Sequence, residues 1–305
     1  MPVNRNQRAQ MAQQTVQIFT QGHYLSPAGK RVDISAAVAA SVAGTCEYSP
    51  DQVVTLPHGL RGRHATQFVV QNETTLAAVR RLTINHRTIA LNFASARNPG
   101  GGFLSGSEAQ EESLARSSSL YACLDGRSMY PFHRRHGDTL YTDYVIYSPS
   151  VVVFRNEDGK LLETPFTCSF LTAPAPNAGA VLQSNPTRGD ELRWALQSRI
   201  NKVLSVAATQ GYDAIILGAW GCGVFKNDPR DVAAQFQAAL TGDFAGVFRL
   251  VYFAVLDRSS AGVVIAPFAQ AFAELLAQEN VSKHGAPPPA GGSSGDASTG
   301  QAKAS

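Results

Sequence analysis

The chain has 305 residues, 44% of them hydrophobic and 16% charged, which is the composition of a globular protein that buries a sizeable core. A formal net charge of only +3 is no strong argument for a nucleic-acid partner, so we expect no direct DNA binding. There is no signal-peptide pattern, no CxxC pair and no apolar run of about eighteen residues. We therefore expect a reduced, cytoplasmic protein without disulfides, zinc site or membrane span. Its cysteines are Cys46, Cys123, Cys168 and Cys222.

The first fifty residues are predicted to form a helical extension packed on the core. The stretch NRNQRAQMAQQTVQIFTQG (4–22) spaces its few apolar side chains among Gln and Arg and ends at Gly22, a helix stop. The stretch DISAAVAASVAGT (33–45) predicts a second short helix, capped by Asp33.

From residue 51 the pattern changes to strands that alternate with helices. Such alternation argues for an α/β sheet covered by helices on both faces, within one core domain over 51–281. The last residues, 282–305, are rich in Pro, Gly, Ser and Ala and are predicted to be a disordered tail. The strands are expected within 66–73, 87–95, 148–156, 166–176, 213–217 and 247–257, and the helices within 74–82, 110–124, 190–211, 230–242 and 267–278.

Two junctions between a strand and a helix are unusually rich in glycine. In open α/β sheets, ligands lie outside the carboxyl ends of the strands, and backbone N–H groups without Cβ atoms close by can surround phosphate oxygens. Neither loop has the lysine of a P-loop or the spacing of a dinucleotide fingerprint. Each loop alone is equally compatible with a tight packing turn, but the two together favour a phosphate-containing ligand. The glycines of the two loops are Gly100, Gly101, Gly102, Gly218, Gly221 and Gly223.

The first of these loops leads into two adjacent acids, Glu111 and Glu112, at the start of a predicted helix. Neighbouring helical residues point about 100° apart, so one carboxylate can enter a cleft while the other reaches across its rim. The alternative is an ordinary acidic helix start, favoured by the helix dipole and capped by Ser105 or Ser107. Because the dipole lowers a carboxyl pKa, acid catalysis would need burial or a nearby phosphate to retain the proton.

These residues together resemble a known family. GGG at 100–102, seven residues and then QEE at 110–112 match the signature of the poly(ADP-ribose) glycohydrolases. The stretches LNFASARNPGGG, QEESLARSSSLYACL and GAWGCGVFKNDP are similar to the bacterial-type branch of that family. The resemblance spans roughly residues 50–280 and implies an α/β macrodomain-like fold, a mixed β-sheet between helices, here with the N-terminal helical extension.

The resemblance implies a role for each matching position around the acids. Glu112 would be the catalytic acid and then the base for water, and Glu111 would hold the ribose hydroxyls beside it. Gln110 would brace the loop, and Asn98 would contact the scissile ribose. The glycines 100–102 would let the backbone approach the diphosphate and the ribose.

The resemblance also implies that the second loop binds the diphosphate, with Phe225 packing on the sugar or base. No metal or other cofactor is expected, and the implied partners are poly(ADP-ribose), ADP-ribose and ADP-ribosylated proteins. The residues of this loop are Gly218, Ala219, Trp220, Gly221, Cys222, Gly223, Val224 and Phe225.

The function expected from the resemblance is hydrolysis of the ribose–ribose bonds of poly(ADP-ribose) from chain ends. Two alternatives stay open: a macrodomain that binds ADP-ribose without cleaving it, and a hydrolase of mono-ADP-ribosyl groups. Cys222 is expected to be a small packing residue rather than a nucleophile, and Trp194 and Trp220 to be core aromatics. The segment PFHRRHGD (131–138) is expected to be a solvated loop.

Overall fold

The structure, a computed structural model, describes residues 3–275. The predicted tail and the end of the last predicted helix lie outside these residues. The helices are α1 (Arg5–Gln21), α2 (Ser35–Gly44), α3 (Thr75–Leu82), α4 (Gln110–Ser117), α5 (Leu120–Leu124), α6 (Met129–His136), α7 (Ala178–Ser184), α8 (Gly189–Thr209), α9 (Pro229–Thr241) and α10 (Ile265–Ala271).

The central element is a seven-stranded mixed sheet in the order β3-β6-β7-β5-β8-β9-β4. Five neighbouring strands, from β7 to β4, run parallel, whereas β6 is antiparallel to β7 and β3 is antiparallel to β6. The strands are β1 (His23–Leu25), β2 (Arg31–Asp33), β3 (Cys46–Tyr48), β4 (Gln67–Gln71), β5 (Thr88–Phe93), β6 (Val145–Arg155), β7 (Leu161–Ala173), β8 (Ala214–Leu217) and β9 (Leu250–Ala254).

Helices cover both faces of the sheet, as its continuous apolar strands require. One apolar cluster joins the sheet to α8, α9 and α10, and a second joins its other face to α3, α4, α5 and α6. The predicted macrodomain-like fold, a mixed sheet between helices, is therefore confirmed. Trp220 is fully buried as expected. The expectation for Trp194 is wrong: it is 73% exposed, because it lies on the solvent face of α8 while Leu192 and Leu196 face the core.

The N-terminal region is only partly helical. α1 ends at Gly22, whose φ of 74° lets it cap the helix, and α2 follows Asp33, whose carboxylate accepts hydrogen bonds from Ser35. Between these helices, β1 and β2 form a small antiparallel pair. After α2, β3 pairs with β6, with Cys46 opposite Tyr147, so the first fifty residues also supply an edge strand of the main sheet.

Two segments differ from their predicted structure. PFHRRHGD is not a solvated loop, because α6 covers most of it and His133 is fully buried. The Glu47 carboxylate accepts hydrogen bonds from the first backbone N–H groups of α6, at 3.0 and 3.1 Å, which stabilises the helix start. The predicted helix over 110–124 is two helices, separated where Ser118 makes a β-bridge to Val153.

Among the described residues, no helix is both long enough and apolar enough to cross a bilayer.

Candidate active site

Both glycine-rich loops lie at the carboxyl edge of the parallel strands. The loop over 94–109 follows β5, and the loop over 218–228 follows β8. β5 and β8 are hydrogen-bonded neighbours, with Ala90 opposite Ile216, so the two loops rise side by side from the sheet. The topology therefore brings together the two segments that the sequence singled out, at the edge where α/β proteins bind ligands.

Gln110 fastens the start of α4 to β5. Its Oε1 accepts from the backbone N–H of Phe93 at 2.9 Å, and its Nε2 donates to the carbonyl of Leu91 at 2.7 Å. The serine cap of the alternative interpretation, an ordinary acidic helix start, is absent: the residue before the helix is Ala109, and no side chain caps it. The Gln110 amide is hydrogen-bonded to the backbone of β5, and this fixes the direction in which the side chains of Glu111 and Glu112 point.

Glu111 is buried, 3% exposed, and both of its oxygens accept hydrogen bonds. The backbone N–H of Ser95 donates to Oε2 at 2.6 Å, and the side-chain amide of Asn92 donates to Oε1 at 3.3 Å. Burial, and then the neighbouring charge of Glu112, raise the pKa of Glu111 to about 8, although the hydrogen bonds oppose the shift. The site therefore retains a carboxyl proton near neutral pH.

Glu112 lies beside it but is held differently. Its Oε1 accepts from the backbone N–H of Gly102 at 3.0 Å, whereas its Oε2 accepts no hydrogen bond from the described residues. The buried guanidinium of Arg116, one turn further along α4, donates to the carbonyl of Ser107 at 2.6 Å. It also interacts electrostatically with the Glu112 carboxylate. Glu112 thus has one oxygen fixed by the loop and one available to a ligand.

The three consecutive glycines are required by the protein's own packing. At Gly101, with φ of 60°, a Cβ would overlap Oε1 of Glu112 and lie 3.1 Å from Oε2 of Glu111. A Cβ at Gly100 would meet the ring of Phe103 at 2.9 Å, and one at Gly102 would overlap the hydroxyl of Ser107. The glycines therefore make room for the two carboxylates and for the turn that carries them, a use the sequence did not suggest.

Helix α1 packs against the outer side of the same loop. Nε of Arg5 donates to the carbonyl of Ser105 at 3.0 Å, and Nε of Arg8 donates to the carbonyl of Gly106 at 2.9 Å. Arg8 also forms an ion pair with Glu108 at 2.9 Å. A Cβ at Gly106 would overlap the carbonyl of Arg5, so the helix and the loop are in backbone contact. The N-terminal helix thus supports the loop that carries the acids.

The second loop divides into an inner and an outer part. Gly218 and Gly221 face protein atoms, and the indole of Trp220 donates to the carbonyl of Ala173 at 3.1 Å within the core. Gly223 and Val224 face outward: a Cβ at Gly223 would meet nothing within 4 Å, and Val224 is 81% exposed.

Two side chains of the second loop bear on its chemistry. Burial raises the pKa of Cys222 to about 12, so its sulfur is a protonated thiol and not an activated nucleophile. The half-buried ring of Phe225 lies 5.9 Å from the ring of Tyr141, measured between centroids. Ala219 packs with Cys222 and Phe225 at the edge of the core.

Asn92 is a residue of the site that the sequence patterns did not reveal. Asn92 is fully buried on β5, where its amide contacts Glu111 and donates to Thr172 Oγ1 at 3.2 Å. A single amide within the apolar run TIALNF was the available signal, since buried polar groups need a partner.

Asn98 is exposed at the loop tip, and its carbonyl accepts from Gly101 N–H at 3.0 Å.

Chemically, the site offers two buried adjacent carboxylates beside a loop with outward-facing backbone, and one oxygen of Glu112 has no hydrogen-bond donor within residues 3–275. Such a pair can donate a proton to a leaving oxygen and accept one from water. Within residues 3–275, no three His, Cys, Asp or Glu side chains come together as metal ligands would.

Comparisons with known proteins agree with this geometry. The family "Microbial-type PARG, catalytic domain" matches residues 12–156. The structure of poly(ADP-ribose) glycohydrolase from Thermomonospora curvata bound to the inhibitor ADP-HPD is 47% identical, with a TM-score of 0.81, over 87% of this chain and 99% of that one. The enzyme from Deinococcus radiodurans in complex with ADP-ribose is 43% identical, with a TM-score of 0.74, over 78% of this chain and 98% of that one. A search of curated proteins gives no significant match.

Proposed function

The chain belongs to the microbial-type poly(ADP-ribose) glycohydrolases, and from that premise we propose that its carboxylate pair hydrolyses the ribose–ribose bonds of poly(ADP-ribose). The observation that carries the proposal is the position of Glu111 and Glu112: both are buried beneath the first glycine loop, at the ligand-binding edge of the sheet. A protein that only bound ADP-ribose would gain nothing from burying two adjacent acids, which costs stability.

The free oxygen of Glu112 supports its assignment as the acid. When the bond between the ribose C1″ and the 2′-oxygen of the next unit breaks, Glu112 gives its proton to that oxygen. The carboxylate then takes a proton from water, whose oxygen bonds to C1″, and the carboxyl is restored. Because the transition state resembles an oxocarbenium cation, the bound diphosphate stabilises it electrostatically.

Glu111 orients the ribose in this proposal. Its two oxygens are fixed by Ser95 and Asn92, so it cannot swing to follow a leaving group. The fixed member positions the sugar and the freer member transfers the proton.

The diphosphate binds between the two loops. The outward face of Gly223 and Val224 leaves room for phosphate oxygens next to backbone N–H groups. Phe225 covers the ribose from the β8 side, and Asn98 contacts it from the β5 side. Hydrolysis starts from chain ends, and the product is ADP-ribose.

The experiment that tests the function is incubation of the purified chain with poly(ADP-ribose), with release of free ADP-ribose followed over time. We expect ADP-ribose to accumulate as the polymer shortens. Intact polymer together with tight binding of ADP-ribose would overturn the proposal in favour of a binding domain. Release of ADP-ribose only from singly modified protein would favour a mono-ADP-ribosyl hydrolase.

We further propose the cellular location, the protein partners and the domain division of the enzyme. The described cysteines are free thiols, which supports a cytoplasmic location. ADP-ribosylated proteins are its proposed partners, as the carriers of the polymer. The division into an N-terminal extension over 1–50 and a catalytic core over 51–281 also stays a proposal, and the contacts of α1 with the first glycine loop indicate that the extension serves the site.

A further inference from the structure

Three arginines and a histidine, one in the first glycine loop and three at the end of α6, have no role in the proposed reaction. Arg97 directly precedes Asn98, and Arg134, Arg135 and His136 end helix α6. Arg134, Arg135 and His136 are exposed, and Arg97 is half-buried. We call these four residues the basic rim.

The basic rim is attached to the site by direct contacts. Nη1 of Arg134 donates to the carbonyl of Arg97 at 2.5 Å, which ties the end of α6 to the loop after β5. The guanidinium carbon of Arg97 lies 5.8 Å from the ring centre of Tyr141, and that ring is 5.9 Å from Phe225. A continuous row of side chains therefore runs from the second glycine loop to the basic rim.

The order of the strands places the basic rim on the leaving-group side. The proposed diphosphate site lies between the loops of β8 and β5, and the acids lie at β5. The adenosine of the bound unit then extends towards β9, and whatever is attached to its distal ribose must leave in the opposite direction, over β7 and β6. The segment between α6 and β6 is fixed there, since the carbonyl of Thr139 accepts from Asn177 N–H at 3.1 Å and that of Leu140 accepts from Arg199.

The acid that follows the basic rim in the sequence has an arginine partner outside the rim. Asp138, which follows the rim, is paired with Arg188 at 2.8 Å. Beneath the rim, His133 is buried, and burial, followed by the charge of Arg199, lowers its pKa to about 4, so it stays uncharged. The arginines of the rim therefore present a positive surface.

We propose that the basic rim binds the diphosphate of the departing poly(ADP-ribose) chain, next to the unit that is being cleaved. This rests on the proposed function. The chain carries two phosphate charges per unit, and arginine suits phosphate geometry. Free ADP-ribose ends at the distal ribose and does not reach the rim. The basic rim thus favours polymer over a single ADP-ribose unit, and it acts mainly through electrostatic attraction.

The test compares two pairs of arginines in the Glu112→Gln background, so that the polymer stays intact. Arg134→Glu with Arg135→Glu reverses the basic rim. Arg61→Glu with Arg63→Glu makes the same change in net charge on exposed residues near the amino end of β9, where Gly62 N–H donates to the carbonyl of Ala245. Binding of long poly(ADP-ribose) and of ADP-ribose is measured for both pairs at several salt concentrations.

We expect the rim pair to bind long polymer about tenfold more weakly at low salt, because two positive charges near the phosphates are replaced by negative ones. The slope of log affinity against log salt should fall by about one to two. Binding of ADP-ribose should not change, and the Arg61 and Arg63 pair should bind polymer like the parent. Equal polymer affinity for the two pairs, or no polymer binding by the parent, would overturn the proposal.

Arg135→Glu alone separates charge from loop placement, because the hydrogen bond to the first glycine loop comes from Arg134, whereas Arg135 is exposed. If the rim pair also loses ADP-ribose binding, this single variant decides: weaker polymer binding with normal ADP-ribose binding supports the basic rim, and unchanged polymer binding overturns it. Failure of the wild type to hydrolyse polymer would instead refute the proposed function, since binding is measured separately.

Discussion

The two glycine-rich loops rise from neighbouring strands but are built in opposite ways. The first is filled by the protein itself: a Cβ at Gly101 would overlap Glu112, and the carbonyl of Gly106 accepts a hydrogen bond from Arg8 on α1. The second is closed at Gly221, where a Cβ would overlap Asn227, but open at Gly223. Glycine therefore serves internal packing around the acids in the first loop and leaves external space in the second.

This difference suggests a division of labour. A loop held on both sides keeps two carboxylates in a fixed position, as acid–base catalysis requires. A loop with an open outer half can accept the diphosphate. Changes in the first loop should therefore reduce turnover, and changes in the outer half of the second should reduce affinity.

The largest effect is expected from Glu112→Gln. The amide keeps the shape of the side chain but cannot transfer the proton, so turnover of poly(ADP-ribose) should fall by about 10²–10⁴-fold or more, with ADP-ribose binding largely retained. The exposed Asp158→Asn serves as the control. Near wild-type turnover by Glu112→Gln would show that the acid is another group.

Gly101→Ala should have the next largest effect. Its Cβ would displace the Glu112 carboxylate, and small displacements at a reacting centre cost about 10²-fold in rate. Gly126→Ala is the matched control, because Gly126 also has a positive φ, of 77°, but open space around it. The positive φ should cost both variants about 1–2 kcal/mol of stability, the overlap should cost Gly101→Ala more, and only Gly101→Ala should lose turnover. Equal turnover in the two variants would contradict the packing argument.

Glu111→Gln should reduce turnover by about 10²-fold through misplacement of the ribose, and it also gives a pH-dependent signature. The folded pKa of Glu111, about 8, lies above the ordinary value of 4.5. Between these values the folded state holds the proton more tightly, so the free energy of unfolding of the wild type falls as pH rises, by at most about 1.4 kcal/mol per pH unit.

Glutamine does not titrate, so that loss should be absent in the variant. Its stability relative to the wild type should increase from about pH 5 to pH 8 and then stay constant. Urea unfolding of both proteins across this range checks the prediction. Parallel pH profiles of the two proteins would mean that Glu111 is ionised in the folded state throughout.

The smallest effect is expected from Gly223→Val. The Cβ of the new side chain meets no atom of the described residues within 4 Å, so stability should change little, but the side chain enters the space assigned to the diphosphate. Calorimetry should show ADP-ribose binding weakened by about tenfold, or about 1.4 kcal/mol. Gly189→Val, at an equally open position at the start of α8, is the control. Unchanged affinity would place the diphosphate elsewhere.

Local pattern was sufficient to predict six of the seven strands of the main sheet, the two loops and the acids, but not edge strand β3. The alternation of strands and helices, and the glycines before QEE, are visible within short stretches. What local pattern missed depends on long-range contacts. Arg8 meets Gly106 only because α1 folds back on the loop, and His133 is buried only because α6 packs under the segment before β6. Trp194 was predicted to lie in the core because it is aromatic, but it lies on the solvent face of an amphipathic helix.

The most direct test of the division of labour measures poly(ADP-ribose) turnover and ADP-ribose affinity in parallel for Gly101→Ala and Gly223→Val. The account predicts a crossed result: Gly101→Ala loses turnover by about 10²-fold and keeps most of its affinity, whereas Gly223→Val loses affinity and keeps turnover at saturating polymer. If both variants lost turnover and affinity to the same extent, the two loops would form one undivided site, which would contradict the proposed division of labour.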